Sequence, residues 1–204
     1  MTDPIALVDL DGTLADYDGA IARELARIAS PTDPPYHSFG PDGHPPWIDA
    51  RRHLVSSVPG FWRNLAPLEA GQSILAALRG QGFQINVLTK GPSTKPAAWM
   101  EKLEWCRVHV PDASVSITED KSLSYGRVLV DDWPPYFMSW LAHRPRGLVV
   151  VPAQPWNEGA EDLAPSNVFR YVPGEGLNDL HRLLRAAAQR GDGVPFDVRE
   201  VLSR

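Results

Sequence analysis

Five short apolar segments constrain the fold of this 204-residue chain more than any other feature. Each is rich in β-branched or aliphatic residues and is bounded by polar residues, glycine or proline, which is typical of strands covered on both faces of a sheet. Amphipathic helical patterns separate them. This alternation predicts an α/β fold with a doubly wound, mostly parallel, Rossmann-like sheet. The predicted strands are residues 5–9, 84–89, 114–118, 127–131 and 147–151.

The helical patterns between these strands have the spacing of helices with one buried face. The pattern at 96–107 places Trp99, Leu103 and Cys106 on one side, so we expect these three to face the core. The other helices predicted for the core of the protein are residues 68–81, 133–143 and 177–190.

The first crossover is much longer than one helix requires. Residues 10–83 separate the first two strands, and they hold two amphipathic patterns joined by a loop with six prolines. Because ligands bind open α/β sheets at the carboxyl edge, a small helical insertion that leaves this edge is placed to act as a lid. We therefore divide the chain into a catalytic core (residues 1–14 and 67–190), a helical cap (15–66) and a C-terminal extension with little pattern (191–204).

Charge and cysteine content exclude several functional classes. The net charge of −5 argues against a general nucleic-acid or anionic-membrane binder, which would present a basic face. The single cysteine, Cys106, excludes an intramolecular disulfide framework and a cysteine-rich zinc site. The first residues lack the pattern of a signal peptide, and no apolar run approaches the ~20 residues of a membrane span. We expect a soluble cytoplasmic protein.

Acidic residues cluster where the predicted strands end. Asp9 and Asp11 follow the first strand and project to the same side of an extended chain, while Gly12 permits a tight turn. Because the strands are parallel, the groups at their carboxyl ends meet at one edge. Crowded carboxylates require a hard cation, and Mg²⁺ suits a few carboxylates together with a substrate phosphate. The groups expected at this edge are Asp9, Asp11, Thr89, Lys121, Asp131 and Asp132.

Each of these features has an ordinary explanation when taken alone. An Asp-x-Asp before a turn is common turn chemistry, and a single lysine is usually a surface charge. The combination is different: Asp-x-Asp-Gly-Thr, a strand-end threonine, a lysine and then Asp-Asp occur in that order, each after an apolar strand. Such an arrangement is hard to produce by accident.

The four segments resemble the motifs of the haloacid dehalogenase superfamily of phosphotransferases. They are DLDGTL at 9–14, VLTKG at 87–91, EDKS at 119–122 and LVDDW at 129–133. The threonine after Gly12 favours the phosphatase branch. The segment PGFWRNLAPLEAG at 59–71 and the helical insertion resemble the 5′(3′)-deoxyribonucleotidases more narrowly. These resemblances imply a Mg²⁺-dependent phosphomonoesterase that acts on nucleoside monophosphates through an aspartyl-phosphate.

The resemblance also implies a role for each motif residue. Asp9 would be the nucleophile and a metal ligand. Asp11 would be the general acid and then the base, with its backbone carbonyl on the metal. The remaining roles are Asp131 as a metal ligand, Asp132 as the residue that orients the ligands, and Gly12, Thr89 and Lys121 as the phosphate-binding residues.

The substrate pocket is less constrained by the sequence. By resemblance, Tyr17 and the pair Trp47 and Ile48 would contact the base, with ordinary cap packing as the alternative. Lys90 stands where the subfamily usually has serine, and Glu119 stands where it often has arginine. Relative to the subfamily, a positive charge is therefore absent at position 119 and present at position 90. This change is compatible with a nucleotide substrate that has a different base or sugar, and equally with another phosphate ester.

Other functions stay open. A phosphatase of the same fold could act on a sugar phosphate or a polynucleotide end. A receiver-type signalling domain uses similar residues, but the order of motifs and the large insertion disagree with it. A phosphate-binding regulator without turnover finds no support, since no motif residue is missing. The expected partner is a small phosphorylated substrate, without a membrane or a long nucleic acid, and a homodimer stays open.

Overall fold

A parallel sheet of six strands forms the centre of the protein in a computed structural model that describes residues 3–37 and 44–204. The strand order is β3-β2-β1-β4-β5-β6, so the direction of winding changes at β1. The predicted doubly wound α/β fold is confirmed. The strands are β1 (Ile5–Val8), β2 (Gln84–Lys90), β3 (Ser114–Thr118), β4 (Val128–Val130), β5 (Leu148–Pro152) and β6 (Val168–Tyr171).

The strands β1, β4 and β5 are continuously apolar because both faces of the sheet are buried there. In β1, Ala6 and Val8 belong to one hydrophobic cluster and Leu7 to another. Side chains alternate between the two faces of a strand, so each neighbour along the sequence contributes to a different core. Leu129 in β4 likewise joins the cluster of Leu7, while Val128 and Val130 face the other side.

Helices cover both faces of the sheet. The cluster on one face is built from α3 (Glu69–Gly80), α4 (Pro96–His109) and α7 (Leu177–Gln189). The cluster on the other face is built mainly from α5 (Pro134–His143), whose Phe137 and Trp140 are fully buried, and from the short α6 (Ala160–Leu163). None of the helices in the described ranges combines the length and the apolar character needed to cross a membrane.

Two helices lie in the insertion between β1 and β2. They are α1 (Tyr17–Arg27) and α2 (Pro46–Val55), and they share a small core of Ile21, Leu25 and Val55. The ends of the insertion lie side by side. The Asp16 amide donates to the Ala66 carbonyl and the Leu68 amide to the Leu14 carbonyl, both at 2.8 Å. The division of the chain into core, cap and extension stays a prediction.

The buried face of α4 differs from the predicted one. Trp99 and Leu103 are only partly buried, whereas Glu101, Lys102 and Trp105 are buried. The sequence pattern misplaced the face because it assigns charged residues to the solvent side. In the structure both charged side chains are buried and have polar partners, described below.

Two further segments differ from expectation. Strand β6 was not predicted, since its four residues, VFRY, are interrupted by an arginine. The last residues show little pattern in the sequence, yet they form α8 (Val198–Ser203) and bury Phe196 and Val198. Arg182 of α7 donates to the Val201 carbonyl at 2.9 Å. This segment therefore packs on α7 through a few long-range contacts that leave no periodic pattern.

Candidate active site

Three carboxylates meet where β1 and β4 end side by side. Asp9 directly follows β1, and Asp131 and Asp132 directly follow β4. One oxygen from each carboxylate lies within 4.8 Å of the others, and all three residues are buried. The pairing of β1 with β4 in the sheet therefore creates the acidic cluster that the sequence predicted at this edge.

Lys121 inserts its ammonium between two of these carboxylates. Its Nζ lies 2.7 Å from Asp9 Oδ1 and 2.8 Å from Asp131 Oδ2. The 3₁₀ turn Lys121–Leu123 after β3 brings it there, capped by the Asp120 carboxylate, which accepts from the Ser122 amide at 2.9 Å. Burial alone would lower the pKa of Lys121, but the carboxylates of Asp131 and Asp9 raise it above its ordinary value. The side chain is therefore a fixed cation.

The cluster holds more negative charge than one lysine balances. Burial raises the pKa of the Asp9 carboxyl well above its usual range, with Lys121 opposing and Asp131 and Asp132 adding to the shift. Burial, followed by the charge of Asp131, raises the pKa of Asp132 to about 7. Carboxylate oxygens are hard ligands, and a divalent cation among them would balance this excess. The residues present therefore fit a metal ion.

Asp132 is held by two donors, one for each oxygen. Thr13 donates its hydroxyl to Oδ1 at 3.0 Å, and the Trp156 indole donates to Oδ2 at 2.9 Å. Its backbone carbonyl accepts from Asn157 at 3.0 Å. These contacts fix the carboxylate within the cluster, and the orienting role that the resemblance implies for Asp132 stays a prediction.

A glycine is required in the turn after Asp9. Gly12 has φ +78°, a conformation that L side chains rarely adopt, and a Cβ there would lie 2.5 Å from Asp132 Oδ2. Gln154 donates to the Gly12 carbonyl at 2.8 Å. The turn thus packs directly against the second carboxylate pair, which explains the glycine in physical terms.

Asp11 points to a lysine that the sequence analysis did not single out. Its Oδ2 lies 2.5 Å from Lys102 Nζ, and Lys102 also donates to the Lys90 carbonyl at 2.7 Å and to the Thr89 hydroxyl at 3.2 Å. The Lys102 side chain is only 1% exposed. The other Asp11 oxygen, Oδ1, is buried and has no hydrogen-bond partner among the described residues. One carboxylate oxygen of Asp11 is therefore left without a donor among the described residues.

These groups open onto a cavity of about 690 Å³. One wall is aromatic: the rings of Tyr17 and Trp62 stack with centroids 5.0 Å apart at 13°. In the same cavity, the ammonium groups of Lys90 and Lys121 lie 5.2 and 4.9 Å from the centre of the Tyr136 ring. The cavity therefore combines an aromatic wall with cations and carboxylates, and its volume suits a small-molecule ligand.

Comparison with known families identifies the class of protein. The sequence model of the family described as "5' nucleotidase, deoxy (Pyrimidine), cytosolic type C protein" matches residues 3–164, which include all four motifs and the insertion. The chain belongs to this nucleotidase family. It is therefore a hydrolase of the phosphatase and nucleotidase class within the haloacid dehalogenase superfamily. No curated protein sequence matches the chain significantly.

Solved structures of the superfamily share the fold of this nucleotidase-family chain. A haloacid dehalogenase-like hydrolase from Xanthomonas campestris is 15% identical with a TM-score of 0.51, over 93% of this chain and 100% of the other. A superfamily hydrolase from Deinococcus radiodurans R1, solved with bound phosphate and sodium, is 16% identical with a TM-score of 0.53, over 91% and 96%. A putative β-phosphoglucomutase from Thermotoga maritima is 15% identical with a TM-score of 0.51, over 85% and 96%.

Most site residues predicted from the sequence meet in the nucleotidase-family cavity. Thr89 and Asp131 are wholly buried and contact Lys102 and Lys121 respectively. The predicted residues that line the cavity itself are Asp9, Asp11, Gly12, Tyr17, Lys90, Lys121 and Asp132.

Trp47 and Ile48 do not meet the others. They line a separate cavity of about 380 Å³ between α1, α2 and the proline-rich loop, and Arg51 lies 4.9 Å over the Trp47 ring. Trp47 is the second residue of α2, which packs on α1 rather than over Asp9. The structure therefore does not support the proposed base contacts of this pair.

Trp62, Trp156 and Lys102 are among the cavity residues of this family member that the sequence analysis missed. Trp62 lies in the segment quoted for the subfamily resemblance, but nothing in the sequence indicated that its ring faces the cavity. Trp156 follows β5 in a 3₁₀ turn with no recognisable motif. Lys102 carries one detectable signal, since it falls on the same helical face as Ala98 and Trp105.

Proposed function

We propose that this phosphatase is a Mg²⁺-dependent nucleotidase that removes phosphate from nucleoside monophosphates through a phosphorylated Asp9. The observation that carries the proposal is that carboxylates and stacked aromatic rings line the same cavity. The buried carboxylates of Asp9 and Asp132 lie at its base, and the stacked rings of Tyr17 and Trp62 form its wall. The family match supports the same class of substrate.

Asp9 is the proposed nucleophile. Its carboxylate oxygen forms a bond to phosphorus as the bond from phosphorus to the ester oxygen breaks. Asp11 gives a proton to the departing ester oxygen, and in the second step it takes a proton from the water that attacks the phosphorylated Asp9. The free Oδ1 of Asp11 and its position two residues from Asp9 support this assignment. Phosphate then leaves and Asp9 is regenerated.

Electrostatic repulsion between the carboxylate and the phosphate dianion limits such an attack. Mg²⁺ held by Asp9, Asp131 and the Asp11 carbonyl would offset this repulsion. Lys121 supplies a second fixed positive charge beside Asp9, at 2.7 Å. We assign phosphate binding to Lys121, to Thr89 and to the backbone around Gly12, and we assign Lys90 to the neighbouring part of the substrate.

The aromatic wall is the proposed site of the nucleobase. Stacking of a nucleobase on an aromatic side chain contributes ~1–3 kcal/mol to binding, and this energy depends little on which base it is. Tyr17 and Trp62 both line the cavity that holds Asp9, so a base against this wall and a phosphate at Asp9 belong to one ligand. A sugar phosphate would leave the wall without a partner.

The test is phosphate release by Asp9→Asn across a substrate panel. The panel holds ribo- and 2′-deoxyribonucleoside 5′- and 3′-monophosphates beside ribose 5-phosphate, with Mg²⁺ and with a chelator. We expect the wild type to prefer nucleotides and to require Mg²⁺. Asp9→Asn should lose activity by on the order of a thousandfold or more.

The matched control is Asp112→Asn, the same change at a surface carboxylate that pairs with Arg79. It should retain activity within about twofold, as surface substitutions usually do. Full activity in Asp9→Asn would contradict the mechanism. A strong preference for ribose 5-phosphate would contradict the nucleotide assignment and leave Asp9 in its role.

A further inference from the structure

Two neighbouring charged residues of α4, Glu101 and Lys102, are buried, and Lys102 lines the cavity. Lys102 contacts Asp11 in the loop after β1 (residues 9–14), named the catalytic loop after its role in the proposed function. Glu101 is 5% exposed and serves a different part of the molecule, the segment 60–63 that leads from the insertion back to the core. A carboxylate is buried only when donors satisfy it, so its partners show what it holds in place.

Glu101 accepts three hydrogen bonds from this segment. The Gly60 amide donates to Oε1 at 2.6 Å and the Trp62 amide to Oε2 at 3.0 Å, while the Arg63 guanidinium donates to Oε1 at 3.2 Å. Burial would raise the pKa of Glu101, but these bonds hold it below its usual range. Hydrogen bonds to an ionised carboxylate are about twice as strong as neutral ones. The segment is therefore fixed to α4.

Trp62 is the residue that this attachment orients. Its amide is held by Glu101, and its indole donates to the Ser56 carbonyl at 2.9 Å. One ring neighbour is Tyr17, stacked at 5.0 Å, and another is the Lys102 ammonium, 4.6 Å from the ring centre. The aromatic wall of the cavity thus depends on a backbone whose position Glu101 sets.

We propose that Glu101 is a positioning residue for substrate recognition: by holding the backbone of Trp62, it sets the aromatic wall against which a nucleobase stacks. The inference rests on the proposed function. The two neighbours on α4 differ in their partners. Lys102 contacts Asp11 and the face of the Trp62 ring, whereas the hydrogen bonds of Glu101 in the described ranges all come from segment 60–63. A change at Glu101 should therefore affect recognition of the base and spare the chemistry on phosphate.

The test compares two substrates that differ only by the base, a 2′-deoxynucleoside 5′-monophosphate and 2-deoxyribose 5-phosphate. Glu101→Gln keeps the size of the side chain but turns an amide NH₂ towards the Gly60 or the Trp62 amide. We expect a KM for the nucleotide about tenfold higher, the size of losing one bond to a charged group. The kcat on the nucleotide and the kcat/KM on the sugar phosphate should stay within about twofold.

The matched control is Glu104→Gln, one turn away on α4, whose carboxylate contacts only Arg63 among the described residues and is 44% exposed. It should leave both substrates unchanged. Trp62→Leu provides a second variant, which removes the ring without touching the Glu101 contacts. It should reproduce the nucleotide-specific rise in KM even if Glu101→Gln folds poorly.

Three results would decide against the proposal. Equal losses on both substrates in Glu101→Gln would indicate general structural damage. An unchanged nucleotide KM in a folded Glu101→Gln, or in Trp62→Leu, would show that the wall does not depend on these residues. A wild type that does not distinguish the two substrates would instead contradict the proposed function itself, so the two failures are separable.

Discussion

Lys102 shows how the core of this protein accommodates a charge. An ammonium buried without partners is costly, and the side chain would then lose its proton or turn outwards. Here the Asp11 carboxylate, the Lys90 carbonyl and the Thr89 hydroxyl accept from it. The Trp62 ring covers a further side at 4.6 Å. The lysine thus joins the catalytic loop, the end of β2 and the aromatic wall at one atom.

Replacing this lysine should destabilise the protein. Lys102→Met keeps the length of the side chain but leaves the Asp11 carboxylate without a cation, and breaking a buried pair typically costs ~3 kcal/mol. Since Asp11 is 25% exposed, water relieves part of this cost, and we expect a loss of about 2 kcal/mol in the free energy of unfolding. Urea denaturation followed by circular dichroism measures it.

Two further variants isolate the pair. Asp11→Asn combined with Lys102→Met should be less destabilised than the sum of the single changes, as expected for residues in contact. Lys90→Met, which removes an exposed ammonium, should change stability by less than about 0.5 kcal/mol. If Lys102→Met were no less stable than Lys90→Met, the pair with Asp11 would contribute nothing.

Neither Lys102 nor Glu101 could be predicted from the sequence, for the same reason. Asp11 lies 91 residues from Lys102 along the chain, and the partners of Glu101 lie 38–41 residues away. Sequence periodicity reports which residues share a helix face, but not which distant polar groups meet that face. Asp9 and Asp131 were easier to predict as site residues. Each ends an apolar strand, and parallel strands bring their carboxyl ends to one edge of the sheet.

At the scale of elements, α3 and the loop after β1 are in unusually close contact. A Cβ at Gly71, in the first turn of α3, would lie 2.2 Å from the Thr13 carbonyl and 3.0 Å from Leu14. Thr13 in turn holds Asp132 at 3.0 Å. The glycine therefore lets a helix approach the catalytic loop, and the loop positions one of the three buried carboxylates.

Gly71→Ala should be destabilising although alanine favours helices by about 1 kcal/mol over glycine. Forcing a methyl group into this contact should outweigh that gain, with a net loss of ~1–3 kcal/mol. We also expect reduced phosphatase activity, because Thr13 would have to move. The free energy of unfolding and the rate of phosphate release test the two effects.

Gly80→Ala is the matched control in the same helix. Nothing lies within 4 Å of a Cβ there, so this change should be neutral or stabilising by up to about 1 kcal/mol. Equal stabilities for the two variants would show that the loop yields to the methyl group without cost.

The elements were predicted unequally well. The central strands β1, β4 and β5 were visible because a strand buried on both faces is apolar throughout, and β2 and β3 because they are rich in β-branched and aliphatic residues. Strand β6 was too short and too mixed in composition to stand out. The prediction of the buried face of α4 was wrong because Glu101 and Lys102 occupy that face. The place of Trp47 could not be inferred, since the packing of α1 on α2 depends on contacts across a long loop.

For the whole molecule, the cluster of carboxylates links metal binding to stability. Asp9, Asp131 and Asp132 face a single Lys121 among the described residues near the cluster, so the folded protein concentrates negative charge that a cation relieves. A ligand that binds only the folded state stabilises it by about 2.7 kcal/mol at a hundredfold excess over its Kd.

Mg²⁺ should therefore raise the melting temperature of the wild type by about 5–10 °C relative to NaCl of equal ionic strength. Differential scanning fluorimetry gives this shift without any substrate. In Asp131→Asn the shift should largely disappear, whereas Asp112→Asn should keep it. An equal shift in Asp131→Asn and the wild type would show that the cation binds elsewhere.

The two ends of the insertion between β1 and β2 meet at a pair of backbone hydrogen bonds, from Asp16 to Ala66 and from Leu68 to Leu14. A segment whose ends touch can be lengthened, shortened or exchanged with little entropic cost, since loop closure depends only weakly on length. The insertion can therefore be replaced by a segment of different length or sequence without disturbing the sheet to which its ends are attached. Related proteins could in this way acquire new substrates while the carboxylate cluster at the ends of β1 and β4 stays unchanged.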